Sequence, residues 1–392
     1  MGIISRRYIK DFVCRYNKQV GVPYYSPNDF NGFKEEAYSF NNSKGIEIHY
    51  FYYYYDNYKE DKLILFLPGI GPGHVSYFAE IETFARRGYK VLTLDYTGCG
   101  ESKGDYLGSL NMPTLDVMDL LDHLKIDKPI VVVGHSLGAY TSLNIINIRK
   151  DIDRAVVISP FIDMKSLLNV FTRSNFITKH LLKYENKINP KYYPIDNIEY
   201  LKNTKDKLFI IQSDDDGVIP YSISLKVVES LNNPNLKLLR MSGRKHNPTY
   251  LESSVKYMNE VFGSFELLIK NKVIKTKEDR IDYFKNVSIK KLTEQDEKLY
   301  DEIIAFINEW YSKYKRKILW TKTNTSSLIP IKVKEDLNTS SLEPQKRLKT
   351  YLEVDTPNTL IAVFSLNTQP IEDKKKRHPF GCPFITHSFL LL

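Results

Sequence analysis

Short apolar runs alternate with amphipathic stretches through the middle of the chain. The runs are rich in β-branched and aliphatic residues: KLILFL (62–67), YKVLTL (89–94), PIVVV (129–133), RAVVIS (154–159), KLFIIQ (207–212) and NLKLLRM (235–241). Between them, apolar residues recur at helical spacing over about 74–87, 113–124, 137–149 and 221–231, and again over 248–265. Buried strands that alternate with helices are typical of a parallel sheet covered by helices on both faces.

Two further strands precede this series. EEAYSFN (35–41) and IEIHYFYYY (46–54) are rich in aromatic and β-branched residues, and NSKG (42–45) between them is typical of a hairpin turn. We expect the hairpin to give the mostly parallel sheet an antiparallel edge. The α/β domain is therefore predicted over residues 35–265.

Segment 161–205 interrupts the alternation of strands and helices. It is too long for one crossover helix, and it is rich in large apolar side chains: Phe161, Phe171, Phe176, Leu181, Leu182, Tyr184, Tyr192 and Tyr193. We interpret the segment as a small helical cap. The alternative is an ordinary helix followed by a long loop.

The two ends of the chain lie outside this domain. Residues 1–34 form a predicted N-terminal helical extension, whose first 20 residues are basic and amphipathic. We expect this helix to pack against the domain, the alternative being contact with an anionic membrane. Residues 266–320 form a predicted C-terminal helical extension with a charged helix over 290–318. Over 321–392 only one of the 28 tyrosines remains, against 6 of the 18 prolines, so we expect a low-order tail.

Composition narrows the function classes. The net charge of +9 is scattered along the chain and accompanies no recognition motif, which argues against nucleic-acid binding. The sequence has no run of 18 consecutive apolar residues, so it predicts no membrane span. We therefore expect at most weak peripheral membrane contact. The three cysteines are far apart and predict neither a disulfide framework nor a metal site. These features favour a cytoplasmic protein.

The sharpest chemical motif is Gly134-His135-Ser136-Leu137-Gly138, directly between a predicted strand and a predicted helix. A sharp strand-to-helix turn exposes the serine hydroxyl, and glycines two positions on either side allow close passage of the backbone. The N-terminus of the following helix favours a developing negative charge. Ser136 is therefore the candidate nucleophile.

A serine nucleophile needs a histidine base and an acid that orients it. His246 lies just past the last predicted strand, where a loop can bring it onto the serine, and the other histidines are less suitably placed. Asp214, Asp215 and Asp216 follow the strand KLFIIQ, and Asp163 follows RAVVIS. The chemistry alone does not decide which of these four aspartates orients the histidine.

The oxyanion of an acyl transfer needs two backbone N–H donors. One is expected from Leu137, after the serine, and the other from Ile70 in the glycine-rich loop LPGIGPG (67–73). We expect Gly69, His135 and Phe161 to contact the substrate.

Residues from about 35 to 265, about 60% of the chain, resemble the α/β-hydrolase superfamily, within it the lysophospholipase and monoacylglycerol-lipase-like group. The resemblance rests on five segments: the loop LPGIGPG (67–73), called the oxyanion loop below, the turn DYTGCGES (95–102), the nucleophile motif (134–138), DGVIP (216–220) and His246-Asn247-Pro248. It selects Asp216 as the acid. Pro68 departs from the family pattern, which has histidine there, and residues 1–34 and 266–392 have no recognised counterpart.

These features predict a serine hydrolase that cleaves a carboxylic ester of a small molecule or lipid, an acylglycerol or lysophospholipid by resemblance, through an acyl-enzyme. A triad of Ser136, His246 and Asp216 needs no metal and no organic cofactor. The alternatives are a thioesterase, or a peptidase or amidase, with the same triad, or a non-catalytic binding module that keeps the fold. The acyl length, the leaving group and the oligomeric state do not follow from the sequence.

Overall fold

The structure is a computed structural model, and it describes residues 2–309 apart from 60, 62 and 153. The expected tail over 321–392, and the end of the helix expected over 290–318, lie outside the described residues.

One eight-stranded sheet organises the described residues, in the order β1-β2-β4-β3-β5-β6-β7-β8. The strands are β1 (Lys34–Asn41), β2 (Glu47–Tyr54), β3 (Leu63–Leu67), β4 (Lys90–Leu94), β5 (Ile130–His135), β6 (Arg154–Ile158), β7 (Lys207–Ser213) and β8 (Leu236–Met241). β2 pairs antiparallel with both β1 and β4, and the pairs from β4 onward are parallel. The mostly parallel sheet predicted from the sequence is confirmed, and its antiparallel element is β2.

Helices cover both faces of the sheet. The helices of the described residues are α1 (Ile3–Asp11), α2 (Phe78–Ala85), α3 (Met112–Leu124), α4 (Leu137–Ile148), α5 (Met164–Thr172), α6 (Asn175–Ile188), α7 (Asn197–Asn203), α8 (Leu225–Glu229), α9 (Glu252–Lys270), α10 (Lys277–Phe284), α11 (Ile289–Leu292) and α12 (297–309). Along β3, Leu63 and Leu65 join the core under α3 and α4, whereas Ile64 and Phe66 join the core under α2 and α12. Because both faces are covered, all of β3 is buried, which explains its continuous apolar sequence.

The segment between β6 and β7 contains α5, α6 and α7, which confirms the interpretation of a small helical cap. Each helix is preceded by a polar residue whose side chain accepts a hydrogen bond from the backbone N–H three residues later: Asp163, Ser174 and Asp196. Such N-caps satisfy backbone donors that the helix itself cannot pair.

The N-terminal helix is shorter than the 20 residues predicted, because α1 ends at Asp11. It packs on the cap, where the Tyr8 hydroxyl donates to Glu185 at 2.7 Å. The irregular segment 12–25, called the strap below, then runs along the domain. Backbone hydrogen bonds of 2.9 Å from Tyr16 to Gly98 and from Gly100 to Tyr16 fix the strap to the loop after β4.

The single helix expected from residue 290 is wrong at its start. α11 ends at Leu292 and α12 begins near residue 297, and between them the chain pairs with the segment before α9. The Leu251 N–H donates to the Glu294 carbonyl at 2.9 Å, and the Asp296 N–H donates to the Thr249 carbonyl at 2.7 Å. These long-range bonds replace the helical ones. Within residues 2–309, the structure contains no helix both long and apolar enough to cross a lipid bilayer.

Candidate active site

The nucleophile motif forms a sharp turn between β5 and α4. Ser136 has φ 56° and ψ −117°, a conformation that is rare and strained for a residue other than glycine. The turn is held because the Ser136 N–H donates to the Ile158 carbonyl of β6 at 2.9 Å. The strain is therefore imposed by the sheet, and it places Ser136 at the N-terminus of α4.

The flanking glycines are required by close packing. A Cβ on Gly138 would lie 1.9 Å from the Leu67 carbonyl oxygen, and one on Gly134 would lie 2.3 Å from the Gly138 carbonyl oxygen. The absence of side chains thus brings the start of α4 against the end of β3, where the oxyanion loop begins.

The oxyanion loop is fixed from several sides. The Tyr96 hydroxyl donates to the Pro68 carbonyl at 2.9 Å, and the Gly69 N–H donates to the Tyr77 hydroxyl at 3.0 Å. Further along, the buried carboxylate of Asp95 accepts from the backbone N–H of His74 at 2.8 Å. Within the described chain, neither the N–H of Ile70 nor that of Leu137 donates a hydrogen bond. Both donors are therefore free to bind an oxyanion.

His246 and Asp216 form a buried pair, with Nδ1 of the imidazole 2.7 Å from Oδ2 of the carboxylate. The other carboxylate oxygen, Oδ1, accepts from the N–H groups of Val218 and Ile219 at 2.8 and 2.9 Å. Since the carboxylate can only accept from Nδ1, the imidazole carries its proton there and Nε2 has a free lone pair. Nε2 is buried and has no hydrogen-bond partner among the described residues.

The other candidate acids lie elsewhere. Asp214 pairs with Arg240, and Asp215 pairs with Lys245, both on the surface side of the loop. Asp163 accepts a hydrogen bond of 2.8 Å from the Ser166 N–H and thereby caps α5. The geometry leaves Asp216 as the carboxylate that contacts His246.

His135 joins the turn around Ser136, called the nucleophile turn below, to the loop that carries His246, called the histidine loop below. Its Nε2 lies 2.8 Å from the His246 carbonyl oxygen, and its Nδ1 lies 2.9 Å from the Tyr77 hydroxyl. Burial and the neighbouring His246 lower the pKa of the His135 ring to about 3, so the ring is neutral. His135 thus donates to one neighbour and accepts from the other. Its expected contact with the substrate stays a prediction.

Phe161, the third residue expected at the substrate, lies in the core. It is buried and stacks on Tyr140, with ring centroids 4.2 Å apart. Gly69 sits in the oxyanion loop, where its N–H is already bound to Tyr77.

An apolar cleft opens beside the oxyanion loop. Ile70, Gly71 and Pro72 line the cleft, and so does Asn247, which follows His246. Further lining residues come from the strap, α9 and α11. The residues that line the cleft do not include any from segment 161–205, so the cap does not form this cavity.

Sequence reasoning missed Tyr77 and the strap. Tyr77 lies in a 3₁₀ turn before α2, and no motif marks it. The signal that could have found it is a tyrosine placed shortly after a glycine-rich oxyanion loop whose usual histidine is replaced by Pro68.

Residues 58–251 match the family model described as "Serine aminopeptidase, S33". These residues are similar to the α/β-hydrolase superfamily, and the sheet has the α/β-hydrolase fold. The matched residues include the nucleophile turn, the oxyanion loop, Asp216 and His246, and they exclude the strap, α9, α10, α11 and α12.

Several curated and solved proteins are similar to this chain. The lysophosphatidylserine lipase of Bos taurus is 26% identical over 151 residues, which cover 36% of this chain and 37% of the lipase. The lysophosphatidylserine lipase of Gallus gallus is 27% identical over 36% of this chain and 39% of its own. The match thus spans little more than a third of the length of these relatives. Among solved structures, a Pyrococcus furiosus esterase is 20% identical with a TM-score of 0.46, over 66% of this chain and 96% of its own.

Proposed function

We propose that the chain is a serine hydrolase that cleaves a carboxylic ester of a small molecule or lipid through an acyl-enzyme. The observation that carries this proposal is the orientation of His246. Asp216 holds its Nδ1, and the buried Nε2 has no partner among the described residues. Serine activation requires a base held in this tautomer. His135, which directly precedes the strained Ser136, has its Nε2 2.8 Å from the His246 carbonyl oxygen and so joins the two parts of the chain.

In the proposed reaction, Ser136 Oγ attacks the ester carbonyl carbon while His246 Nε2 takes the hydroxyl proton. The N–H groups of Ile70 and Leu137 bind the oxyanion, and each such donor typically contributes about 10²–10³ in rate. The tetrahedral intermediate collapses, and His246 returns the proton to the departing alkoxide. Water, deprotonated by His246, then hydrolyses the acyl-Ser136 ester and releases the carboxylic acid.

Peptide cleavage is the second candidate, because the matching family model is that of a serine aminopeptidase. An aminopeptidase must bind the ammonium group of its substrate, and a cation in a partly buried site needs a carboxylate partner. The described residues that line the cleft include no aspartate and no glutamate. The ester proposal fits this uncharged lining better. Thioesters share the ester's acyl half and fall under the same test.

A fluorophosphonate probe tests the proposal, since it phosphonylates an activated serine whatever the natural substrate. We expect the purified full chain to be labelled and to hydrolyse p-nitrophenyl butyrate. We expect Ser136→Ala to lose both labelling and hydrolysis while its thermal unfolding stays close to that of the wild type. If the wild-type chain is not labelled, the proposal fails and the chain is a binding module with a hydrolase fold.

A further inference from the structure

We infer that the acyl chain of the substrate lies in the apolar cleft between the oxyanion loop, the strap and helices α9 and α11. This inference rests on the proposed function and adds the place and the chemistry of the acyl site. It assigns part of the lining of that site to the strap, α9 and α11, which lie outside the matched residues 58–251.

The position of the cleft favours the acyl part of an ester. Its lining includes Ile70, whose N–H is the proposed oxyanion donor, and Asn247, which directly follows His246. A carbonyl group whose oxygen is bound by the Ile70 N–H would therefore lie next to the cleft. The substituent of the carbonyl carbon then extends into the cleft.

The chemistry of the walls selects a hydrocarbon chain. In a protein with 26% charged residues, the described residues that line the cleft include no Asp, Glu, Lys, Arg or His. Aromatic and aliphatic side chains dominate, such as Tyr24 and Tyr25 of the strap and Phe262 of α9. An uncharged apolar cleft stabilises methylene groups and disfavours a charged headgroup.

Part of the apolar lining of the cleft lies outside residues 58–251. Val22 of the strap, Met258 of α9 and Leu292 of α11 all line it. Met258 and Leu292 are buried, and they belong to one hydrophobic cluster with Val22 packed against it. The strap is held there, because a Cβ on Gly21 would lie 2.8 Å from the Arg280 carbonyl oxygen of α10. The strap, α9 and α11 are therefore packed together where they line the cleft.

The experiment fills the cleft and measures the dependence of hydrolysis on acyl length. Val22→Trp and Met258→Trp each place a larger ring into it, one from the strap and the other from α9, and Leu267→Trp is the matched control because Leu267 lies on α9 but is 59% exposed. The readout is the ratio of kcat/KM for p-nitrophenyl decanoate to kcat/KM for p-nitrophenyl acetate. Because each methylene kept out of an apolar site costs about fourfold in binding, we expect this ratio to fall at least tenfold in the filled variants. Leu267→Trp should keep the wild-type ratio.

Two results would overturn the inference without touching the proposed function. One is a ratio of decanoate to acetate kcat/KM that stays at the wild-type value in a filled variant. This result counts for a variant that unfolds cooperatively and is labelled by fluorophosphonate. Val22 is only half-buried, so at least that variant should fold. The other is a response to the length of the alcohol in a series of alkyl acetates, in place of a response to acyl length. Failure of the wild-type chain to react with fluorophosphonate would instead defeat the proposed function itself.

Discussion

The ring of His135 and the backbone of His246 are joined by a hydrogen bond of 2.8 Å between Nε2 and the carbonyl oxygen. On its other side, His135 Nδ1 accepts from the Tyr77 hydroxyl, which in turn accepts from the Gly69 N–H. This buried chain connects the oxyanion loop, the nucleophile turn and the histidine loop. Three loops that must keep a common geometry are therefore linked through two side chains.

Tyr77→Phe should lower kcat at least tenfold. The change removes one hydroxyl and leaves the Gly69 N–H and His135 Nδ1 without their partner, at a cost of about 1–3 kcal/mol for each buried group. The oxyanion loop then loses one of its fixed contacts. Steady-state kinetics with p-nitrophenyl butyrate would measure the loss. Tyr89→Phe removes another buried tyrosine hydroxyl, one that donates to Asn308 away from the site, and should change stability but not kcat.

His135→Gln should retain most of the activity, whereas His135→Leu should lose at least tenfold. A glutamine can accept from Tyr77 and donate to the His246 carbonyl, as the neutral imidazole does, and leucine can do neither. Because burial and His246 lower the pKa of His135 to about 3, the ring does not titrate between pH 5 and 9. The pH profile of kcat/KM for His135→Gln should keep the wild-type shape. A new titration in that profile would show that His135 carries a proton during turnover.

Asp216→Asn should lower kcat by about 10⁴, because an amide does not hold the imidazole in the required tautomer. Asp163→Asn should be nearly normal, since asparagine caps a helix about as well as aspartate. Both variants should give the wild-type circular dichroism spectrum. An inactive Asp163→Asn with an active Asp216→Asn would mean that the acid comes from the loop after β6.

Local sequence patterns were sufficient for the sheet, the cap and the turn that presents Ser136, because each depends on neighbouring residues. The choice of Asp216 among four acids needed the family resemblance, and in the structure it is the one that contacts His246. Long-range contacts account for the misses. The helix predicted from 290 is broken because residues 294 and 296 pair with 251 and 249. Periodicity carries no information about these contacts, and the expected contact of Phe161 with the substrate stays a prediction.

Gly138→Ala and Gly263→Ala should change stability in opposite directions. A Cβ at Gly138 would lie 1.9 Å from a backbone carbonyl oxygen, so we expect little soluble protein. Gly263 lies within α9, and a Cβ there meets no atom of the described chain within 4 Å. Alanine at 263 should therefore stabilise the protein by about 0.5–1 kcal/mol. Thermal unfolding of the soluble fractions would measure both effects.

Glu80 should make stability depend on pH in a way that Glu80→Gln removes. Glu80 lies buried on α2 beside Tyr250, Tyr77 and Tyr300, and burial raises its pKa to about 7. Between pH 4.5 and 7 the folded chain holds a proton that the unfolded chain has released. Stability from this group is therefore present at low pH and is lost as pH rises to about 7, by roughly 3 kcal/mol at most. Glutamine does not titrate, so the Tm of Glu80→Gln relative to wild type should rise between pH 5 and pH 8.

Asp116 and Glu266, whose pKa values burial also raises to about 7, are present in both proteins and cancel in that difference. Glu82→Gln, on the same helix but paired with Arg86, is the control and should not reproduce the trend. A Tm difference for Glu80→Gln that is equal at the two pH values would mean that Glu80 is ionised in the folded protein at pH 5.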